Sequence, residues 1–169
     1  NKRFVITLTG LRRVGKSTIL RQIMSDLILK DKRAECFYFS FEKFQSKREP
    51  DILKKIIQYY FDNILMKKSY QIKEKIYIFL DEVQYIPYWQ DIIKFFYDQN
   101  ENFKFIVTGS NSLFVKKKSQ ESLAGRIIDI KMTPLLFKEY LALVNPDYKI
   151  NINNKLWLSA NINIINGYF

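Results

Sequence analysis

The string from Gly10 to Ser17, GLRRVGKS, constrains this chain more than any other feature, because it follows the pattern G-x-x-x-x-G-K-[ST]. It stands between an apolar, β-rich run from Phe4 to Thr9 and a segment with apolar residues at helical spacing from Ile19 to Ile28. A glycine-rich turn at this place lets backbone N–H groups surround a phosphate, and the helix N-terminus adds partial positive charge. The residues predicted to bind a nucleotide share this loop and are Gly10, Arg12, Arg13, Val14, Gly15, Lys16, Ser17 and Thr18.

The side chains of this loop have different expected roles. Lys16 supplies a mobile ammonium group for the β- and γ-phosphate oxygens, and the Ser17 hydroxyl is expected to bind Mg²⁺. Thr18 is placed to contact a phosphate one step further back. Arg12 and Arg13 lie inside the loop, where they face phosphate, an adjacent subunit or solvent, and the sequence leaves these three alternatives open.

Apolar runs alternate with amphipathic segments along the chain. Further strands are predicted at 34–41, 76–80, 103–108 and 127–131, and helical stripes at 52–65, 89–96 and 134–144. The run at 76–80 is almost entirely apolar, which is typical of a parallel strand that is buried on both faces. Strands that alternate with helices predict an α/β fold with a parallel sheet and helices on both faces.

Composition narrows the chemistry. The 169 residues include no histidine, which excludes Ser-His-Asp triads and ordinary zinc hydrolases, so catalysis must use carboxylates, lysine, arginine and hydroxyls. The net charge of +11 favours acidic partners such as nucleotides or nucleic acid. No run of about 18 apolar residues occurs, so we expect a soluble, cytoplasmic protein without a membrane partner.

Two adjacent carboxylates follow the apolar strand at 76–80. Asp81 and Glu82 would lie at the carboxyl end of this strand, the edge at which parallel sheets bind ligands. The arrangement matches a Walker B motif, in which Asp81 holds Mg²⁺, directly or through water, and Glu82 polarises the attacking water. Ser17 and Asp81 are therefore the predicted metal ligands.

Two further segments carry candidate catalytic residues. The string Thr108-Gly-Ser-Asn111 ends the next strand, where Asn111 or Ser110 can contact the γ-phosphate or the lytic water, although a plain turn has the same composition. Leu123-Ala-Gly-Arg126 follows it, and the Arg126 guanidinium is suited to stabilising charge on a phosphoryl group, often that of a neighbouring subunit. A surface or salt-bridged Arg126 is an equal alternative.

These motifs together resemble the archaeal-type ATPase family of the AAA+ superfamily. The resemblance covers the chain from about Phe4 to Leu141, and the segments that carry it are, in order, GLRRVGKST, LDEVQYIP with the following Trp89, TGSNS, LAGR and PLLFKEYL. It implies a three-layer P-loop NTPase fold with a five-stranded, mostly parallel sheet of order 5-1-4-3-2. It also implies Mg²⁺ and ATP as ligands, and ATP hydrolysis coupled to conformational change as the activity.

The resemblance further suggests how the chain is organised. Residues 1–144 are predicted to form the ATPase core. Residues 145–169, where the composition shifts towards Asn and Ile, are predicted to be an extension that is the truncated start of a lid or a further domain, since members of the family are usually longer.

Two alternative functions remain open at this point. A small-molecule kinase shares the P-loop and the parallel sheet, although the sequence shows no arginine-rich lid segment after Asn111. A nucleic-acid-binding switch, in which ATP only sets conformation, is suggested by the charge of +11 and by the run from Lys116 to Lys118. The expected partners are ATP and ADP, with a homo-oligomer and DNA as further possibilities, and the lack of an Asn-Lys-x-Asp string favours adenine over guanine.

Overall fold

The computed structural model describes residues 4–31, 35–44, 49, 51–110 and 123–145. Five strands and four α-helices lie along these residues. The strands are β1 (Val5–Gly10), β2 (Glu35–Ser40), β3 (Ile76–Asp81), β4 (Phe103–Ser110) and β5 (Ile127–Met132). The helices are α1 (Lys16–Lys30), α2 (Ile52–Tyr59), α3 (Trp89–Gln99) and α4 (Phe137–Val144), and a π-helical segment, Tyr60–Leu65, continues α2.

The strands form one sheet of order β2-β3-β4-β1-β5, and all four pairings are parallel. This confirms the predicted α/β class and the order 5-1-4-3-2, which is the same sequence of strands counted from the other edge. The register aligns Gly10 with Ser110 and with Met132, and Ser40 with Asp81. The carboxyl ends of the strands therefore meet along one edge of the sheet.

Helices cover both faces, and each face has its own apolar cluster. The larger cluster joins β3 and β4 to α2, the π-helical segment and α3, and within it Phe61 stacks on Phe103 with ring centroids 4.9 Å apart. The smaller cluster lies under α1 and contains Leu20, Phe79 and Ile106. Successive residues of β3 point into opposite clusters, which explains why its sequence is apolar throughout.

The edge strand β5 is held by polar contacts as well as by its backbone. The hydroxyls of the buried Thr7 and Thr9 on β1 both donate to Asp129 Oδ1, at 2.7 and 2.9 Å. Most residues of β5 are exposed. This accounts for the weak apolar pattern of this strand, because an edge strand whose residues are mostly exposed needs fewer apolar side chains.

The chain divides into two compact units, residues 1–133 and 134–169. In the second unit, α4 begins at Phe137 and not at Pro134, since the Glu139 side chain accepts a hydrogen bond from the Leu136 N–H at 2.7 Å and caps the helix there. The boundary predicted at residue 144 stays a prediction, because residues 146–169 lie outside the described part of the chain. None of the helices in the described ranges combines the length and the apolar character that crossing a membrane requires.

Candidate nucleotide site

The turn between β1 and α1 depends on its two glycines. A Cβ on Gly10 would overlap the carbonyl oxygen of Met132 on the neighbouring strand and would lie 3.2 Å from Val14 Cγ2. Gly15 has φ 94° and caps the start of α1, a backbone conformation that favours glycine. The motif spacing thus reflects a close strand contact at one end of the turn and a left-handed residue at the other.

Lys16 is buried at the base of this turn, with 4% of its surface exposed. Its Nζ donates to the carbonyl oxygen of Leu11 at 2.9 Å and lies 3.4 Å from that of Gly10. It also lies 3.9 Å from Glu82 Oε1. A buried ammonium group therefore faces both the inside of the loop and the Glu82 carboxylate.

The start of α1 is electrostatically suited to an anion. In the described part of the chain no side chain caps this helix, and its first turn contains no acidic residue. The first N–H groups of a helix have no partner within the helix, and the helix dipole places partial positive charge there. Together with Lys16, these features make the turn suited to binding phosphate.

Asp81, which is 3% exposed, is the acceptor at the centre of the site. Its Oδ1 accepts hydrogen bonds from Ser17 Oγ at 3.0 Å and from Thr108 Oγ1. Its Oδ2 accepts a hydrogen bond from the Tyr38 hydroxyl at 3.1 Å. Side chains from α1, β4 and β2 thus converge on one carboxylate, and the predicted metal ligands Ser17 and Asp81 are in contact.

These ligands fit Mg²⁺ by their chemistry. A hydroxyl oxygen and a carboxylate oxygen 3.0 Å apart are hard donors, and Mg²⁺ in nucleotide sites uses one or two carboxylates with phosphate oxygens. Ser17 Oγ and Asp81 would hold the ion at the edge of the turn formed by residues 10–17, which we call the phosphate turn.

Glu82 has a strained backbone that two neighbours support. Its φ of 60° and ψ of 44° lie in the left-handed region, which is uncommon for a residue with a side chain. Its N–H donates to Thr108 Oγ1 at 2.9 Å, and its Oε2 accepts a hydrogen bond from Gln84 Nε2. Gln84 Oε1 in turn accepts from the Ser110 N–H at 3.3 Å, so Gln84 links the Glu82 carboxylate to the end of β4.

Tyr38 connects the site to α1. Arg21 on α1 places its Nη2 3.5 Å from the Tyr38 hydroxyl and its guanidinium carbon 5.7 Å from the centre of the ring. Burial raises the pKa of the Tyr38 hydroxyl above its usual value, while the hydrogen bond from Arg21 acts in the opposite direction. The protonated hydroxyl is therefore the form that donates to Asp81.

The remaining loop residues lie apart from this centre. The Arg12 guanidinium lies 3.8 Å from Glu42 Oε1 in a largely exposed pair. Arg13 is exposed, with φ 66°, and Thr18 is exposed as well. Val14 is half-buried, and its side chain faces Gly10. Binding of phosphate by these residues stays a prediction.

The structure does not bring together the candidate site residues that follow β4. Asn111 and the run from Lys116 to Lys118 lie outside the described residues. Arg126 precedes β5, where its carbonyl oxygen accepts a hydrogen bond from the Val5 N–H at 2.8 Å, so it lies at the edge of the sheet opposite to the P-loop, about 16 Å along β1. Its Nη1 lies 2.8 Å from Asp98 Oδ1, so the salt-bridged alternative describes Arg126 within its own chain.

Three residues at the site received no role from the sequence: Tyr38, Thr108 and Gln84. Thr108 was within a predicted motif, but its neighbours Ser110 and Asn111 were the candidates. Gln84 stands two residues after Glu82, and its contact with the Glu82 carboxylate depends on the left-handed backbone at Glu82. No pattern around Tyr38 in the sequence indicates a role at the site, since its contact with Asp81 spans 43 residues of sequence.

A parallel sheet with a phosphate turn and an Asp-Glu pair at its carboxyl edge defines the class of P-loop nucleotide-binding domains. The sequence model of one family in this class, described as the AAA domain, matches residues 2–141. The chain belongs to the AAA domain family, which confirms the predicted AAA+ relationship and supports a nucleotide-binding, ATPase-like role.

Solved structures share the fold. Saccharomyces cerevisiae RIF2 superposes with a TM-score of 0.55 at 10% identity, over 95% of this chain and 62% of that chain. AMPPCP-bound DnaA from Aquifex aeolicus gives 0.53 at 12% identity, over 92% of this chain and 48% of that chain. The Drosophila ORC structure, bound to AT-rich DNA and Cdc6, gives 0.53 at 11% identity, over 80% of this chain and 51% of that chain. At these identities the likeness shows the fold alone.

Curated relatives are more similar in sequence. An uncharacterized protein of Haemophilus influenzae is 31% identical over 91% of this chain and 37% of its own length. An uncharacterized protein of Methanocaldococcus jannaschii is 34% identical over 85% of this chain and 28% of its own length. The chain thus spans about a third of the length of these relatives.

Proposed function

We propose that this chain binds ATP with Mg²⁺ and hydrolyses it, and that the cycle is coupled to a conformational change. Membership of the AAA domain family supports the proposal. The observation that carries it is the convergence of four side chains at the phosphate turn: Lys16 lies 3.9 Å from Glu82, and Ser17 lies 3.0 Å from Asp81.

Each of these side chains has a proposed task. Residues 10–18 surround the phosphates, and Lys16 neutralises the β- and γ-oxygens. Ser17 and Asp81 would hold Mg²⁺, which would supply charge neutralisation on the phosphate oxygens. Glu82 accepts a proton from the attacking water, and Gln84 holds the carboxylate in place for that transfer.

The contacts of Lys16 suggest how binding changes conformation. Its Nζ is occupied by the carbonyl oxygens of Leu11 and Gly10 and faces Glu82. Phosphate oxygens would replace these partners, because a charged acceptor forms a stronger hydrogen bond with an ammonium group than a carbonyl does. Nucleotide binding would then release the Leu11 end of the loop and separate Lys16 from Glu82.

Arg126 and Asn111 are also proposed to act on the phosphate, Arg126 in a neighbouring copy and Asn111 in its own chain. Because Arg126 lies at the far edge of its own sheet, it would reach phosphate only in a neighbouring copy, which makes a homo-oligomer part of this proposal. Asn111 would contact the γ-phosphate or the lytic water from the end of β4. Residues 145–169 are proposed to begin a lid or further domain, and the cytoplasmic location stays a prediction.

Phosphate release by the purified protein tests the proposal. Glu82→Gln is expected to lower the rate by about a hundredfold or more while it retains ATP binding, as removal of a general base does. Lys16→Ala is expected to lose ATP binding. Glu101→Gln, the same change on an exposed carboxylate before β4, is the matched control and should behave like the wild type.

Three outcomes would contradict parts of this account. Absence of phosphate release from the wild type would refute hydrolysis, and unchanged turnover of Glu82→Gln would refute the role of that residue. Transfer of labelled γ-phosphate to a nucleoside monophosphate or a sugar in preference to water would favour a kinase. Parallel titrations with ATP and GTP test the expected preference for adenine.

A second candidate is a nucleic-acid-binding switch. The net charge of +11 favours it, and the similar Drosophila ORC structure is described as bound to AT-rich DNA. Binding to DNA that weakens steeply as salt rises from about 50 to 200 mM would support it, since phosphate contacts release counterions. Absence of binding at the lower salt concentration would remove it.

A further inference from the structure

Three hydroxyl groups donate hydrogen bonds to the Asp81 carboxylate. They belong to Ser17, Thr108 and Tyr38, which lie on three different elements. Of these, Ser17 is the proposed Mg²⁺ ligand, so its hydroxyl oxygen would turn towards the ion. The two hydroxyls that remain on Asp81 then decide how its carboxylate is oriented.

Tyr38 acts on the oxygen that the other two leave free. Thr108 and Ser17 both donate to Oδ1, whereas the Tyr38 hydroxyl donates to Oδ2 at 3.1 Å. A donor on each oxygen fixes the rotation of a carboxylate about its last bond, which a donor on only one oxygen does less well. Tyr38 comes from β2, the strand beyond β3, so it approaches Asp81 from the side opposite to Thr108 on β4.

Arg21 determines the direction of the Tyr38 hydrogen bond. The guanidinium lies 3.5 Å from the Tyr38 hydroxyl oxygen and 5.7 Å from the ring centre, so it donates to the oxygen and packs on the ring face. With its oxygen accepting from Arg21, the Tyr38 hydroxyl directs its proton to Asp81. Arg21 stands on α1, the helix that begins at Lys16, so the contact also ties the P-loop helix to β2.

We propose that Tyr38, supported by Arg21, is a positioning residue that orients Asp81 for Mg²⁺ binding. This inference rests on the proposed function, because it assigns a partner to the metal ligand of the same site. Hydrogen-bond partners of metal-ligating carboxylates commonly change metal affinity by about 10- to 100-fold when they are removed. The contact of Tyr38 with Asp81 is of this kind.

The test measures Mg²⁺ dependence without hydrolysis. A fluorescent ADP is titrated onto the intact protein at increasing Mg²⁺, and the Mg²⁺ concentration that gives half of the gain in affinity is recorded. Tyr38→Phe is expected to raise this midpoint by about tenfold while ADP affinity without Mg²⁺ stays within about twofold of the wild type. Electron paramagnetic resonance with Mn²⁺ and ADP should show the same weakening of metal binding.

Two further variants separate positioning from packing. Tyr77→Phe is the matched control, since this tyrosine packs against the same apolar cluster but stands four residues, about 13 Å, before Asp81 on β3, and its midpoint should not change. Arg21→Gln should raise the midpoint by about threefold, because its exposed contact is worth less. If Arg21 acts through Tyr38, the double variant of Arg21→Gln and Tyr38→Phe should be no worse than Tyr38→Phe alone.

The outcomes distinguish this inference from the proposed function. If ADP affinity of the wild type does not respond to Mg²⁺, both are overturned. If the wild type responds but Tyr38→Phe has the same midpoint, only the positioning role of Tyr38 is overturned. A loss of ADP affinity by Tyr38→Phe that is equal with and without Mg²⁺ would indicate a structural role and would also overturn it.

Discussion

Substitution of Gly10 by alanine should destabilise the protein more than the same substitution at Gly15 or Gly125. The new Cβ would overlap the carbonyl oxygen of Met132 and press on Val14 Cγ2 at 3.2 Å. The blocking oxygen belongs to the backbone of the paired strand β5, so it cannot rotate away as a side chain would. We therefore expect a cost at the upper end of that for overpacking, about 3 kcal/mol.

Gly15 and Gly125 provide matched controls for this prediction. Their φ values are 94° and 70°, and among the described residues no atom would lie within 4 Å of a Cβ at either position. Alanine at these sites has backbone strain without overlap, which costs about 1 kcal/mol. Gly15→Ala should also weaken nucleotide binding, because it changes the phosphate turn, whereas Gly125→Ala should not.

The free energies of unfolding come from urea titrations of the wild type and the three variants, with unchanged slopes as a condition for comparing them. Gly10→Ala should show the largest loss by about 2 kcal/mol. If Gly10→Ala loses no more stability than Gly15→Ala and Gly125→Ala, β5 does not block a side chain at Gly10.

Three other predictions concern the core, the far edge of the sheet and alkaline pH. Phe61→Ala, which removes the ring stacked on Phe103 and leaves a cavity, should lower the free energy of unfolding by about 3–5 kcal/mol, whereas a loss below about 1 kcal/mol would contradict the packing described here. Asp98→Ala breaks the partly exposed pair with Arg126 and should change the free energy of unfolding by less than about 1 kcal/mol, so a larger loss in urea titration would show a structural role. Burial, with a smaller contribution from nearby charge, raises the pKa of Tyr60 to about 12. The free energy of unfolding therefore includes a contribution from the neutral Tyr60 hydroxyl that is fully present below pH 10 and is lost as pH rises towards 12. Tyr60→Phe should remove part of this alkaline loss, and equal pH dependence of the variant and the wild type would contradict it.

Much of the fold and half of the site follow from local sequence patterns. The alternation of apolar strands with amphipathic helices predicted the sheet and its covering on both faces, because burial on a given face imposes a period of two or of 3.6 residues. Lys16 and Ser17 could be proposed as site residues from one short string, since a turn that binds phosphate requires a fixed spacing. The position of Asp81 and Glu82 beside them could be predicted because the end of a buried strand is where a parallel sheet places its ligands.

The rest of the site depends on neighbours that are distant in the chain. Tyr38 reaches Asp81 only because β2 pairs with β3 in a register that sets Ser40 beside Asp81. No periodicity in the sequence determines such a register. The contact of Gln84 with Glu82 depends on the left-handed backbone at Glu82, which residue type alone does not indicate.

Strand direction explains why Arg126 lies away from the phosphate turn of its own chain. The proposed phosphate site lies at the carboxyl ends of the parallel strands, and Arg126 comes immediately before β5, at the amino end. The position of Arg126 immediately before the predicted strand at 127–131 is enough to indicate that it lies at the amino end of the sheet. A motif that follows a strand and a motif that precedes one lie on opposite edges of a parallel sheet.

A structure with Mg²⁺ and a non-hydrolysable ATP analogue tests the central claim most directly. We predict that residues 10–18 enclose the phosphates and that Lys16 Nζ leaves the Leu11 carbonyl oxygen and lies about 2.7–3.2 Å from a phosphate oxygen. Ser17 and Asp81 should be at the metal ion. An analogue bound elsewhere, or Lys16 still bonded to Leu11 with the analogue present, would contradict the claim that this turn is the nucleotide site.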